Sequence, residues 1–145
     1  MSKTNSSTQE ILSKIKMSDT QKIKVAITDI DGILRGKYVH KEKFLSAIKS
    51  DLGFCNVVFG WDCSDAVYDN SKYTGWHTGY PDAKVKLDIS TYREVPWDYN
   101  VPFVLGEFET EDGYPLPICP RQLLKRVITE GQRLGFSPKV GLEYE

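Results

Sequence analysis

The chain has 145 residues, enough for one ordinary domain or a small domain with part of another, which excludes a large multidomain assembly within it. Hydrophobic residues make up 40%, charged residues 27% and aromatics 12%, a balance that supports a buried core and excludes collagen, coiled coil and disorder for the bulk of the chain. Lys plus Arg total 19 against 20 Asp plus Glu, a net charge of −1, so no global positive field draws a polyanion and nucleic acid is not an expected partner.

Apolar runs such as residues 55–61 fall far short of the roughly 18 residues a membrane span needs, and the N-terminus lacks the long apolar stretch of a signal peptide. No membrane partner is expected, and the protein should be cytoplasmic. Cys55, Cys63 and Cys119 are odd in number and lack CxxC spacing, so they read as reduced, ordinary residues rather than a disulfide framework or a zinc site.

In chain order, residues 1–7 read as disordered. Ser7 and Glu10 then stand in a capping-box relation, and Ile11, Leu12 and Ile15 fall on one helical face, which predicts a short amphipathic helix over about 8–17. The β-branched run KIKVAITDI places Ile23, Val25 and Ile27 on one face of a strand. Asp31-Gly32 makes a turn and ILRGKYV resumes the extended pattern, so the two segments read as a hairpin. Phe44, Leu45 and Ile48 return to helical spacing, with Gly53 as the stop.

Residues 55–61 read as a third strand. A fourth covers 84–89, where Val85, Leu87 and Ile89 alternate with Lys84, Lys86 and Asp88. The polar stretch between them, 61–83, is too long for a simple connector and fits the class of functional loops. A fifth strand is predicted at about 103–109, before the turn Glu111-Asp112-Gly113. Pro120 then opens a helix whose apolar stripe is Leu123, Leu124, Val127, Ile128 and Leu134, stopped by Gly135. KVGLEYE reads as a further strand, with Val140, Leu142 and Tyr144 on one face and Gly141, Glu143 and Glu145 on the other. The expected division is a disordered stretch and short helix over 1–20, a mixed α+β domain over 21–110, and the truncated start of a second domain over 111–145.

On such a strand Glu143 and Glu145 sit about 7 Å apart on one face, a spacing suited to holding Mg²⁺ or Mn²⁺. The alternative is a pair of solvent-facing acids on an amphipathic strand. The order of signals bears on the choice. An acidic turn, Pro120-Arg121 opening a helix, Gly135-Phe136 and a strand with Glu-x-Glu together resemble the start of the catalytic domain in the glutamine synthetase family. They are also similar to the related γ-glutamyl-polyamine synthetases. Upstream, DIDGILRGKYV resembles the first hairpin of that family's β-grasp domain. FGWDCSD resembles the loop that reaches a neighbouring subunit's active site, and GYPDAKVKLD the Pro-Asp turn and strand that follow. The resemblance covers about residues 22–145 in five collinear segments.

The resemblance implies a β-grasp-like domain followed by the start of a catalytic domain. It also implies an ATP-dependent ligase that makes γ-glutamyl phosphate from glutamate and lets ammonia or an amine displace phosphate. Divalent ions, Mg²⁺ or Mn²⁺, would neutralise phosphate oxygens, with Glu143 and Glu145 as two of their ligands. Asp62 would assist ammonium binding and deprotonation across a subunit boundary, with Ser64 on the same loop facing substrate. A ring-forming homo-oligomer with shared active sites follows, and this chain alone would be inactive. Two other functions stay open: a γ-glutamyl-polyamine ligase, towards which Arg35-Gly36-Lys37 and the departure of Asp62-Cys63-Ser64 from Asp-Gly-Ser-Ser lean, and a non-catalytic assembly protein.

From the residues alone, Asp62 can also be a turn cap. His77 reads as structural, and Trp61 and Trp76 as packing anchors. Arg35 and Lys37 read as a solvated strand face, and Arg121 as a residue that orients the domain junction.

Overall fold

The computed structural model describes residues 3–143, with side chains from Ser7 onward. Helix α1 spans Lys3–Met17. It starts well before the expected position near residue 8, because a helix held by packing at Ile11, Leu12 and Ile15 propagates outward at the cost of one residue per added hydrogen bond. Ile15 is fully buried in the main core.

Strands β1 (Lys22–Thr28) and β2 (Leu34–His40) form the predicted hairpin, with Ile27 opposite Arg35 and Thr28 opposite Leu34. Helix α2 (Lys41–Ala47) follows, capped by the His40 ring, which accepts the Glu42 N–H. Gly53 does not stop it. The helix ends at Ala47, and Gly53 lies inside strand β3 (Leu52–Cys55), paired with Lys84.

The expected strand over 55–61 is a correction: β3 ends at Cys55, and Asn56–Phe59 form a 3₁₀ turn. Val58 and Phe59 are buried in succession, which a half-exposed strand does not allow, and a short apolar run by itself fits either conformation. Strand β4 (Asp82–Val95) is longer than its alternating segment and carries an irregularity between Asp88 and Arg93. There the Leu105 N–H turns to the Thr91 hydroxyl at 2.8 Å. Strand β5 (Val101–Phe108) is buried along its whole length.

The five strands form one mixed sheet, ordered β2-β1-β5-β4-β3, in which only β1 and β5 run parallel. One face carries Ile23, Val25, Ile27, Val85, Leu87, Val104 and Phe108 and packs against Phe44 and Ile15 of the helices. The other carries a smaller cluster of Ala26, Val95, Val101, Phe103 and Leu105. A side chain at Gly106 would meet Val85 Cγ1 at 2.5 Å, so the middle of β5 admits only glycine at this packing distance. The architecture is α+β, as the order of elements implied.

Beyond β5 the core continues through Leu116 and Cys119, both buried. Helix α3 (Pro120–Arg133) begins with proline in its first turn. It ends in a Schellman motif, in which the Gly135 N–H bonds the Gln132 carbonyl at 3.0 Å and the Phe136 N–H bonds the Gly131 carbonyl at 2.9 Å. Its apolar stripe is not covered: Leu123, Leu124, Val127 and Leu134 are all exposed. Residues 136–143 adopt no regular structure, which corrects the expected strand at KVGLEYE. A strand needs a neighbour for its N–H and C=O groups, and among the described residues none pairs with Val140 and Leu142, which are exposed. Tyr144 and Glu145 lie outside the described residues.

Candidate functional site

The connection between β3 and β4 is a structured loop. Its base is tied by the Asn56 N–H to the Pro81 carbonyl at 3.0 Å and by the Tyr68 N–H to the Gly60 carbonyl at 2.8 Å. Inside, the buried Thr74 hydroxyl donates to the buried Asn56 side-chain oxygen at 2.5 Å. Trp61 and Val67 form an isolated antiparallel bridge, so 61–67 is a small closed hairpin with Asp62 near its start.

Asp62 builds the tip of that hairpin. Its Oδ1 accepts the N–H groups of Ser64 at 2.8 Å and Ala66 at 3.0 Å, while its own N–H donates to the Ala66 carbonyl at 3.0 Å. This is an Asx-type turn, the job such a side chain does best in a loop. The turn-capping role is therefore real. Oδ2 takes part in no hydrogen bond among the described residues and remains open to a cationic or proton-bearing ligand. Ser64 is exposed, its hydroxyl 4.0 Å from the Cys63 Sγ. The three cysteines are free, as their spacing implied.

Arg35 is the residue that holds this tip to the sheet, and it is not part of a solvated face. Its Nε donates to Oδ2 of the fully buried Asp29 at 2.7 Å, Nη1 to Asp65 Oδ1 at 2.5 Å and Nη2 to the Asp62 carbonyl at 3.2 Å. The guanidinium carbon lies 4.9 Å from the centre of the Trp61 ring. Hydrogen bonding to Asp29 and the nearby Asp65 charge raise the Arg35 pKa further. Asp29 is itself anchored by the N–H groups of Asp31 at 3.0 Å and Ile33 at 2.8 Å. Asp65 adopts φ +66°, a left-handed conformation that Asp tolerates at a tight turn. The sequence does hold the signal for Arg35. In the β1–β2 register it lies opposite core-facing Ile27, where a guanidinium requires a partner.

Lys37 reaches across to the Gly53 carbonyl at 3.3 Å and lies over the Phe54 ring. Trp61 is packed, but Trp76 is 82% exposed and so is not a packing anchor; it touches Tyr80 edge-on. His77 is exposed.

A second ionic cluster fixes the start of α3. Arg121 bonds Glu107 at 2.6 Å and Asp88 at 2.8 Å, and Lys125 adds contacts to both carboxylates. Burial pushes the Asp88 carboxyl up, but hydrogen bonds from Ser90, Arg121 and Lys125 outweigh it and hold the group at about 2.

Glu143, the one described member of the Glu-x-Glu pair, is exposed on irregular chain. No group of three His, Cys, Asp or Glu side chains able to hold a metal occurs among the described residues. The donor set of the described residues does not make a metal centre by itself. Among the described residues no helix is long and apolar enough to cross a membrane.

No family model matches the chain. It is 55% identical over 135 residues to a type-1 glutamine synthetase 2 of Dictyostelium discoideum, covering 93% of this chain and 26% of that protein. It is 36% identical over 132 residues to a glutamate–isopropylamine ligase of a Pseudomonas species, covering 90% of this chain and 29% of the ligase. The fold superposes on a crystal structure described as a novel glutamine synthase homolog with a TM-score of 0.65 at 22% identity, covering 81% of this chain and 28% of that one. The chain thus spans about a quarter of the length of the curated relatives it matches. By sequence, this chain is a homologue of glutamine synthetases and γ-glutamyl-amine ligases, and over the part that it spans it shares the fold of a glutamine synthase homolog.

Proposed function

We propose that the chain is the part of an ATP-dependent glutamate–amine ligase that carries its amine-side loop. The observation behind this reading is the pairing of long relatives that join glutamate to ammonia or an amine with an Asp62 held at the tip of a fastened hairpin. In the proposed reaction glutamate is activated as γ-glutamyl phosphate, and the amine displaces phosphate. Asp62 Oδ2 attracts the ammonium form of the nucleophile and takes its proton, leaving the neutral amine to attack; Ser64 lies beside it on the substrate side. Oδ1 stays committed to the Ser64 and Ala66 amides, which fixes the direction in which Oδ2 points.

Glu143 and Glu145 are proposed as two ligands of an Mg²⁺ or Mn²⁺ ion whose remaining ligands, like the sites for ATP and glutamate, come from outside these 145 residues. The proposed division is a helix-bearing stretch over 1–20, a β-grasp-like domain over 21–110 and the start of the catalytic domain over 111–145. The active assembly is proposed as a ring of identical cytoplasmic subunits with shared sites, and this chain alone turns over no substrate.

An amine larger than ammonia is the second reading, carried by the tip alone, which reads Asp62-Cys63-Ser64 rather than Asp-Gly-Ser-Ser, whereas the 55% identical relative is a glutamine synthetase. A polyamine such as putrescine is the alternative acceptor, and a non-catalytic assembly role is the third reading. The test is phosphate release from ATP by the full-length protein with glutamate and, in turn, ammonia, isopropylamine and putrescine. Release that depends on one of these supports the ligase reading, and none with any amine favours the assembly role.

A further inference from the structure

One guanidinium joins three things that would otherwise move independently. Asp29 directly follows β1 and is buried with two backbone amides on its Oδ1, so it is a rigid post. Asp62 and Asp65 belong to a hairpin, 27 and 30 residues beyond Arg35, which bonds both. The Trp61 ring, at the hairpin's base, lies against the same guanidinium. Five donors in a flat, fixed fork allow one side chain to hold a post, a carbonyl, a carboxylate and a ring face together, which a lysine ammonium on a flexible stem does not. The contact on the Asp62 side is to its backbone carbonyl, so the clamp sets the position of the residue while leaving Oδ2 open.

We infer that Arg35 is a positioning residue for the amine-side loop, its guanidinium fixing Asp62 at the distance from the sheet at which the loop is used. The inference rests on the proposed role of that loop. It predicts that loosening the clamp harms the amine step selectively, since a displacement of about 1 Å at a reacting group costs up to about 10²-fold in rate.

The test has two arms. In the full-length protein, Arg35→Met should lower kcat with the preferred amine by about 10- to 100-fold, with KM for ATP and glutamate within about twofold. Arg35→Lys should recover only a minor part. Combined with Asp62→Asn, Arg35→Met should add little further loss, because both act on one group. Removing Arg35 orphans the buried Asp29, so Asp65→Asn, which removes the charge of the exposed arm while keeping a neutral acceptor and suits the left-handed backbone, is the second variant, with a smaller loss in the same step. In the second arm, on the present chain, amide exchange at Ser64 and Ala66 should quicken about tenfold or more in Arg35→Met and less in Asp65→Asn, with β1 and β5 unchanged.

If Asp62→Asn slows turnover while Arg35→Met and Asp65→Asn do not, the clamp is overturned and the reading of the loop stands. If Asp62→Asn changes nothing, the reading of the loop is overturned, and exchange at Ser64 and Ala66 alone decides the clamp. Unaltered exchange there overturns it.

Discussion

The guanidinium of Arg121 and the carboxylate of Glu107 meet at 2.6 Å, and this pair fastens helix α3 to the central strand β5. No residue of α3 is buried, so the helix is held here by charge rather than by its apolar stripe. Arg121→Ala leaves Glu107, only 7% exposed, and Asp88 with Lys125 as their shared cation. It should lower stability by about 1–3 kcal/mol and speed amide exchange along α3, with β1 unaffected. Unchanged protection of α3 would show that other contacts seat the helix.

Asp88 gives the protein an acid-sensitive joint. Its carboxyl titrates at about 2 in the folded chain against an ordinary 3.8, so its contribution is complete above 3.8, declines as pH falls through that window and is gone below about 2. With screening, the amount is on the order of 1–2 kcal/mol. Urea unfolding at several pH values should show this slope in the parent and lose it in Asp88→Asn; an equal slope in both would remove Asp88 as its source.

Two truncations should differ. Leu116 and Cys119 are buried in the main core, and the Leu116 N–H bonds the Phe108 carbonyl at 3.1 Å. Deleting 111–145 should cost about 3 kcal/mol more than deleting 120–145, the transfer and cavity terms of those two side chains. Deleting 120–145 should also reduce self-association, because it removes exposed Leu124, Val127, Leu134 and Phe136. Equal stability of the two products would mean that Leu116 and Cys119 contribute nothing.

Mn²⁺ titrated into this chain should bind weakly at best. One exposed carboxylate at Glu143 with a neighbour at Glu145 leaves most of a six-coordinate shell to water. Sub-micromolar affinity, followed by the paramagnetic signal of the free ion, would contradict the assignment of the missing ligands to other parts of the protein.

The strands legible in the sequence are those whose apolar residues alternate against one core: Ile23, Val25 and Ile27 in β1, and Val85, Leu87 and Ile89 in β4. The end signals of α3 were equally local, Pro120 in its first turn and Gly135 in its Schellman motif. Elements set by distant partners were not legible. Val57, Val58 and Phe59 fold as a 3₁₀ turn because Asn56 is held by Thr74, 18 residues away, a pairing that no local period records. KVGLEYE has the alternation of a strand, but residues 139–143 have no strand neighbour among the described residues. At the candidate site Asp62 is marked by the resemblance of its loop, whereas Arg35 is marked only by the hairpin register that sets it opposite Ile27.

The most direct test of the central claim is the turnover of the full-length protein and its Asp62→Asn variant with glutamate, ATP and each amine. A carboxylate that attracts the ammonium and accepts its proton is worth about 10²–10⁴-fold. The variant should therefore lose that much in kcat with the preferred amine while binding ATP and metal nearly as the parent does. An unchanged rate would contradict the account and leave Asp62 as the cap of the turn it makes with Ser64 and Ala66.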